Sequence, residues 1–462
     1  MKKSHRRRNI IIAIVAAVLL AAGTGLAVVR HRLSQAAAGQ GAVSEPGLPE
    51  TVANSQDNDG RFVTTADYTS IAADEGATVH TTFTWDDAWF FQDPTTYNQD
   101  LSVAAGVLSA VSISESEHYQ QGSTSEPYME NFLAQLGFEE VSTASYQYRS
   151  EVLDEVANVF SEGKTDVVAY TVASKHITDP ATGQKKLLVT TAIRGSYGSE
   201  WLSNLNMDFS EGVVAELGLD TGKGDHTGFS TAAEEVAAAV LNHLQSLEEQ
   251  TGEKIDYRDV ALLFCGHSRG AAVANLAAAY MDDIASDWTT DGEATDDGTA
   301  WYVHRNNIYA YAFATPEVSA KDGCRGSEYD NIFNVLNPAD LVPRMPLAQW
   351  GFDRYGRDLW LPEPGCDGFD EKYAKFGADF AQDMGCAAKY SPDDATAVDS
   401  IIAEIGRQSP TIEDFKSLFN VGGAVKTLLL DNDLVRILQA HAPNTYISWL
   451  KVTDASDLRT SR

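Results

Sequence analysis

The sequence predicts an α/β fold: a mainly parallel central sheet flanked by helices on both faces. Three observations predict it. Beyond Lys164, short apolar runs rich in branched or aromatic residues alternate with Ala- and Leu-rich stretches. One of those runs leads straight into the turn Gly266-His267-Ser268-Arg269-Gly270, which opens onto a stretch of small residues. The 462 residues, 44% of them hydrophobic and 10% aromatic, can bury a large core, which excludes disorder throughout, collagen and a disulfide-dense miniprotein.

From the N-terminus, Ile10 to Val29 are uncharged and largely aliphatic. At about 1.5 Å rise per residue they are long enough to cross a bilayer core of roughly 30 Å. Five basic residues precede this stretch and Arg30 and Arg32 follow it, a bias that leaves the N-terminus cytoplasmic and the body exported. Residues 1–33 are therefore expected to be a signal-anchor that holds the protein in the membrane; a signal peptide cut near Ala36 and Ala38 is the alternative. Residues 34–60, small and polar with Gly and Pro, read as a flexible linker. Residues 61–162 are expected to be a mostly helical extension on the core, since Leu101, Ala104, Ala105 and Leu108, then Met129, Phe132, Leu133 and Leu136, recur at helical spacing. Thr84 to Phe91 is rich in aromatics, for core packing rather than a pocket.

The main domain is expected over 163–455. Its strands are read at Val167 to Ser174, Leu187 to Ile193, Val260 to Cys265, Ile308 to Ala314 and Ile332 to Leu336. The intervening helices are read at Ala232 to Glu249 and Gly270 to Met281. An insertion at about 345–430, carrying Trp350, Phe352, Tyr355, Trp360, Phe369, Tyr373 and Phe376, reads as a cap or lid, with an extra structural lobe as the alternative.

The formal charge is −32, from 34 Lys and Arg against 66 Asp and Glu. Basic residues cluster only before position 34, so nucleic acid is not an expected partner. Of the four cysteines, Cys265 lies in an apolar run and reads as a buried thiol. A bridge is open among Cys324, Cys366 and Cys386, with Cys366 to Cys386 as the expected pair and free thiols as the alternative. No spacing suggests zinc. The acidic stretch Asp287 to Asp297 lacks the ordered ligand pattern of a calcium loop and reads as a solvated insertion.

Chemistry concentrates at Ser268. A strand, Gly-x-Ser-x-Gly and a helix in direct succession make the sharp turn that exposes a serine hydroxyl at a helix N-terminus, where free N–H groups favour developing negative charge. Serine needs a base to take its proton and a carboxylate to orient that base. In an α/β-hydrolase these follow in the order Ser, acid, His. His441 satisfies that order, and His304, which precedes the acid, ranks second. For the acid, Asp340 stands just beyond the strand ending near Leu336, where catalytic groups of parallel sheets gather. Asp353, Asp358 and Asp367 are weaker candidates. The oxyanion donors are expected from the turn at Ser196 and from the backbone of Arg269.

Together these blocks resemble the class 3, fungal-type lipase family. Ile193 to Leu205 is similar to its oxyanion loop, and His226-Thr-Gly-Phe229 to its His-x-Gly-Phe. The elbow Gly266 to Gly270, Asn337-Pro-Ala-Asp340-Leu-Val-Pro343, and His441 with Tyr446 match its later blocks in order. The resemblance implies an α/β-hydrolase with Ser268 as nucleophile, Asp340 as acid, His441 as base, Ser196 and Arg269 as oxyanion hole, and a structural His226. It implies a serine hydrolase acting on lipid acyl esters; no cofactor and no metal are implied. A phospholipase, a glycan acyl esterase, or a surface-displayed binding module on the same fold are the alternatives.

Overall fold

In the computed structural model, residues 60–461 are described apart from 71, 74–76, 121–122, 147–167, 196–226, 289–301, 321, 412–413 and 415–438. The expected anchor and the linker up to Asp59 lie outside the described residues, as does almost all of the acidic stretch Asp287 to Asp297. Among the described residues, no helix is long and apolar enough to cross a membrane.

At the centre stand β5 (Lys185–Ile193), β6 (Val260–His267), β7 (Ile308–Phe313), β8 (Ile332–Leu336) and β9 (Arg357–Trp360), adjacent in that order and all parallel. Every residue of β6 is buried. Val260, Leu262 and Phe264 join one apolar cluster, whereas Ala261, Leu263 and Cys265 join another. A strand alternates its side chains, so a run apolar at every position must be covered on both sides.

The connections decide what covers each face. Right-handed crossovers between strands that step in one direction place their helices on the same side. Accordingly α3 (Thr227–Thr251) and α4 (Arg269–Trp288) share the face of Val260 and Phe264, where Val236, Val240, Leu276 and Ala277 are buried. The other face is covered by elements from the two chain ends: α1 (Gln99–His118), α2 (Tyr128–Gln135) and α7 (Pro443–Val452). Asn98 caps α1, its side chain accepting from the Leu101 amide, and the small residues of the helix let it lie close. At Gly106 an added Cβ would be 3.2 Å from Ile447 of α7.

Residues 61–162 depart from expectation. Arg61–Thr69 (β1) and Thr78–Asp86 (β2) form an antiparallel hairpin. Glu140–Ala144 (β3) joins the main sheet beside β4 (Tyr170–Thr178), both antiparallel to their neighbours. Thr-, Val- and Tyr-rich residues with alternate inward positions such as Ala66 and Tyr68 favour strand there, a period distinct from the helical one beyond Leu101. Trp85, Trp89 and Phe90 are core residues.

The stretch after β9 holds α5 (Phe369–Met384) and α6 (Asp394–Gln408). Phe369, Tyr373 and Phe376 pack on Trp449 of α7, the last at 4.9 Å between ring centroids. None of the four cysteines is in a disulfide, which corrects the expected bridge. Cys366 and Cys386 flank the sixteen residues of α5, whose length of roughly 24 Å far exceeds the Cα separation of about 7 Å that a disulfide tolerates. The strand β10 (Arg459–Ser461) closes the far edge against β9.

Candidate active site

Ser268 is half-buried between the end of β6 and the start of α4, with φ at +57°. A non-glycine residue adopts that left-handed conformation at a cost, and it persists only where neighbours over-determine it. Here the Ser268 amide donates to the Phe313 carbonyl at 2.8 Å, and its own carbonyl accepts from Ala272 at 3.0 Å. Glycines make room. A Cβ on Gly266 would lie 2.3 Å from the Gly270 carbonyl oxygen, one on Gly270 2.2 Å from that of Ile193, and one on Gly195 2.6 Å from that of His267. The end of β5 and the turn after β6 therefore interlock backbone to backbone.

Asp340 lies beyond β8 in a turn that Asn337 shapes. The Asn337 carbonyl accepts from the Asp340 amide at 3.0 Å, and its side-chain oxygen from the Ala339 amide at 3.1 Å. One carboxylate oxygen of Asp340 accepts from the Val342 amide at 2.9 Å. The other accepts from two donors, His441 Nδ1 at 2.7 Å and the Tyr446 hydroxyl at 2.6 Å. Asn337 also donates to the Ala440 carbonyl at 3.0 Å, tying the acid's turn to the residue before His441. Burial and the carboxylate beside it push the Tyr446 hydroxyl well above its ordinary range, so it stays a donor.

His441 precedes α7, which begins at Pro443. Its ring stands 4.7 Å from that of His267, the residue before Ser268. Asp340 and His441 are 1% and 5% exposed, so their hydrogen bond is shielded from water.

Residues 190–350, from the end of β5 past the turn of Asp340, match the sequence profile of the class 3 lipases. Over that stretch, 161 of its 462 residues, the chain is similar to the class 3 lipases. It is 29% identical over 182 residues to a secreted mono- and diacylglycerol lipase of Fusarium solani, covering 39% of this chain and 46% of that one. To the secreted mono- and diacylglycerol lipase A of Penicillium cyclopium it is 26% identical over 208 residues, 43% and 57% of the two chains. The chain thus spans about half the length of the curated relatives it matches. Among solved structures, the mono- and diacylglycerol lipase of Aspergillus oryzae overlaps 46% of this chain and 65% of its own at 23% identity, with a TM-score of 0.27. A triacylglycerol lipase described as having a serine protease triad overlaps 58% and 82% at 16% identity, with a TM-score of 0.33. The α/β-hydrolase fold of this chain rests on its own sheet order and elbow.

Of the residues singled out by sequence, Asp340 and His441 meet directly, and Ser268 and Arg269 stand at the elbow beside them. Arg269 is the first residue of α4 and is 9% exposed. Ser196 and His226 lie outside the described residues; Gly195, next to Ser196, abuts the elbow. His304 is at the wrong end of the sheet. It precedes β7, whose first residue pairs with Leu262, about 16 Å of strand below His267. Asp353 and Asp358 are engaged by Arg325, and Asp358 by Arg354 as well. Asp367 sits in the turn that leads into α5. Sequence reasoning gave no task to Asn337 or His267, and it placed Tyr446 only as part of a motif. The position of Tyr446, five residues after His441 and one turn into a helix, was the signal for it.

Proposed function

We propose that this chain is a class 3 lipase that hydrolyses carboxylic esters of lipids, with Ser268 as nucleophile, His441 as general base and acid, and Asp340 as the group that orients His441. The observation carrying this reading is the buried Asp340–His441 hydrogen bond of 2.7 Å beside a serine in a left-handed elbow. His441 Nε2 takes the hydroxyl proton as Ser268 Oγ bonds to the ester carbonyl carbon. The negative oxygen is held by backbone N–H groups of Arg269, at the N-terminus of α4, and of Ser196. Collapse breaks the bond to the alcohol, which leaves with the proton from His441. Water then attacks the acyl-enzyme by the same route and releases the acid. The matched relatives are secreted mono- and diacylglycerol lipases, which makes partial glycerides the first substrates to assay. Export follows from the apolar N-terminal stretch, as a membrane-anchored or a cleaved, released body; N-terminal sequencing of the mature protein separates the two.

The test is turnover of a short-chain chromogenic ester by Ser268→Ala. Its kcat is expected to fall by about 10⁴-fold or more with the melting temperature retained. Undiminished hydrolysis overturns the reading. A fluorophosphonate probe is expected to label the wild-type chain at Ser268 and not the variant, a result that a binding module without an activated serine does not give.

A further inference from the structure

His267, the last residue of β6, has no task in the reading above. Its ring is 3% exposed and faces His441 at 4.7 Å, the two planes inclined by 50°, while Tyr446 meets it edge-on at 5.7 Å. The side chain hydrogen-bonds the backbone of His441, and Nε2 finds no partner among the described residues. A buried imidazole with one nitrogen left over is costly where an apolar side chain would fill the space. The bond to His441 is what the imidazole adds.

We propose that His267 is a positioning residue for His441, fixing the backbone that carries the base and backing its ring so that Nδ1 stays on Asp340 and Nε2 faces Ser268. The inference rests on His441 being the base. Charge matters too. Burial first, and His441 nearby second, hold His267 well below the ordinary histidine range, so it stays neutral and no second cation faces His441 as that ring takes up a proton. Among the described residues, the titratable groups turned toward His267 are His441 and Tyr446, with Asp340 one hydrogen bond behind them. On α1, over the same face of the sheet, Glu115 is engaged with the Met129 amide; Arg194, at the end of β5, donates to Ser116.

The experiment compares His267→Leu and His267→Gln with the wild-type full chain, each variant first checked by thermal melting. Leu removes the hydrogen bond; Gln keeps a donor that never ionises. In His267→Leu, kcat is expected to drop by about 10- to 100-fold with KM within about twofold, the scale of a base displaced by a fraction of an ångström. His267→Gln is expected to recover most of kcat, since its amide keeps a donor for the His441 backbone. With kcat taken per fluorophosphonate-labelled site, a merely structural role lowers the labelled fraction and leaves kcat per site at the wild-type value; that result, or a Gln variant as slow as the Leu variant, overturns the proposal. If the Leu variant does not fold, a folded Gln variant with kcat reduced more than about tenfold overturns it equally. A wild-type chain that the fluorophosphonate leaves unlabelled sinks the hydrolase reading itself, whereas defects confined to the His267 comparison bear on this inference alone.

Discussion

One oxygen of Asp340 serves two donors, His441 at 2.7 Å and Tyr446 at 2.6 Å, and both come from the same short stretch at the start of α7. A carboxylate shared in this way is held in one orientation, and the imidazole inherits that orientation. Removing the phenolic hydroxyl leaves the oxygen with one donor in a buried site. A hydrogen bond to a charged group contributes about 1.5–3 kcal/mol, so Tyr446→Phe is expected to lower kcat about 10- to 100-fold with little change in KM. Steady-state kinetics on a soluble ester checks this, and an unchanged kcat means that His441 alone orients the acid. The elbow at Ser268 and the meeting of Asp340 with His441 were legible in the sequence through chain order and the strand-to-turn context. Asn337 and His267 were not, because a polar residue that holds another residue's backbone leaves no spacing rule behind.

Two glycines show how the elements themselves set the site. Gly270 lies where α4 leaves the elbow, and a Cβ there would meet the backbone of Ile193 at 2.2 Å, which cannot give way without moving β5. Gly377 lies in α5, and a Cβ there meets nothing within 4 Å. Gly270→Ala is therefore expected to destabilise by about 3 kcal/mol through overpacking and to abolish fluorophosphonate labelling. The same exchange at Gly377 is expected to add about 0.5–1 kcal/mol from helix propensity, with labelling intact. Thermal melts beside probe labelling measure both. The hairpin of β1 and β2 also bears on the site. Its Tyr68 accepts a hydrogen bond from Asn444 at 2.8 Å, three residues after His441, and Ser70 donates to the same side chain at 2.6 Å. Sequence periodicity found the helices near it and missed the hairpin, since its alternation is carried by Thr as much as by apolar residues.

Over the whole molecule, stability depends on a buried acid far from Ser268 in sequence. Glu115 of α1 is fully buried; one carboxylate oxygen accepts from the Met129 amide at 2.7 Å, and the other has no partner among the described residues. Burial pushes its carboxyl from 4.5 up to about 7. A group raised in the folded state stabilises fully below its unfolded value, and that contribution is lost as pH rises through about 7. Urea melts at pH 5 and pH 8 are expected to show wild type losing about 2 kcal/mol more than Glu115→Gln across this interval. Equal losses in the two proteins mean that Glu115 is charged throughout. The sequence by itself determined the parallel core and the elbow at Ser268, because strands buried on both faces must be apolar at every position and a strand-to-helix turn needs its glycines. Only the tertiary structure decided that β1 to β3 complete the architecture, that Cys366 and Cys386 stand apart, and that Tyr446, Asn337 and His267 converge on the Asp340–His441 pair. Those are contacts between residues up to several hundred positions apart, where the fold rather than any local period chooses the neighbours.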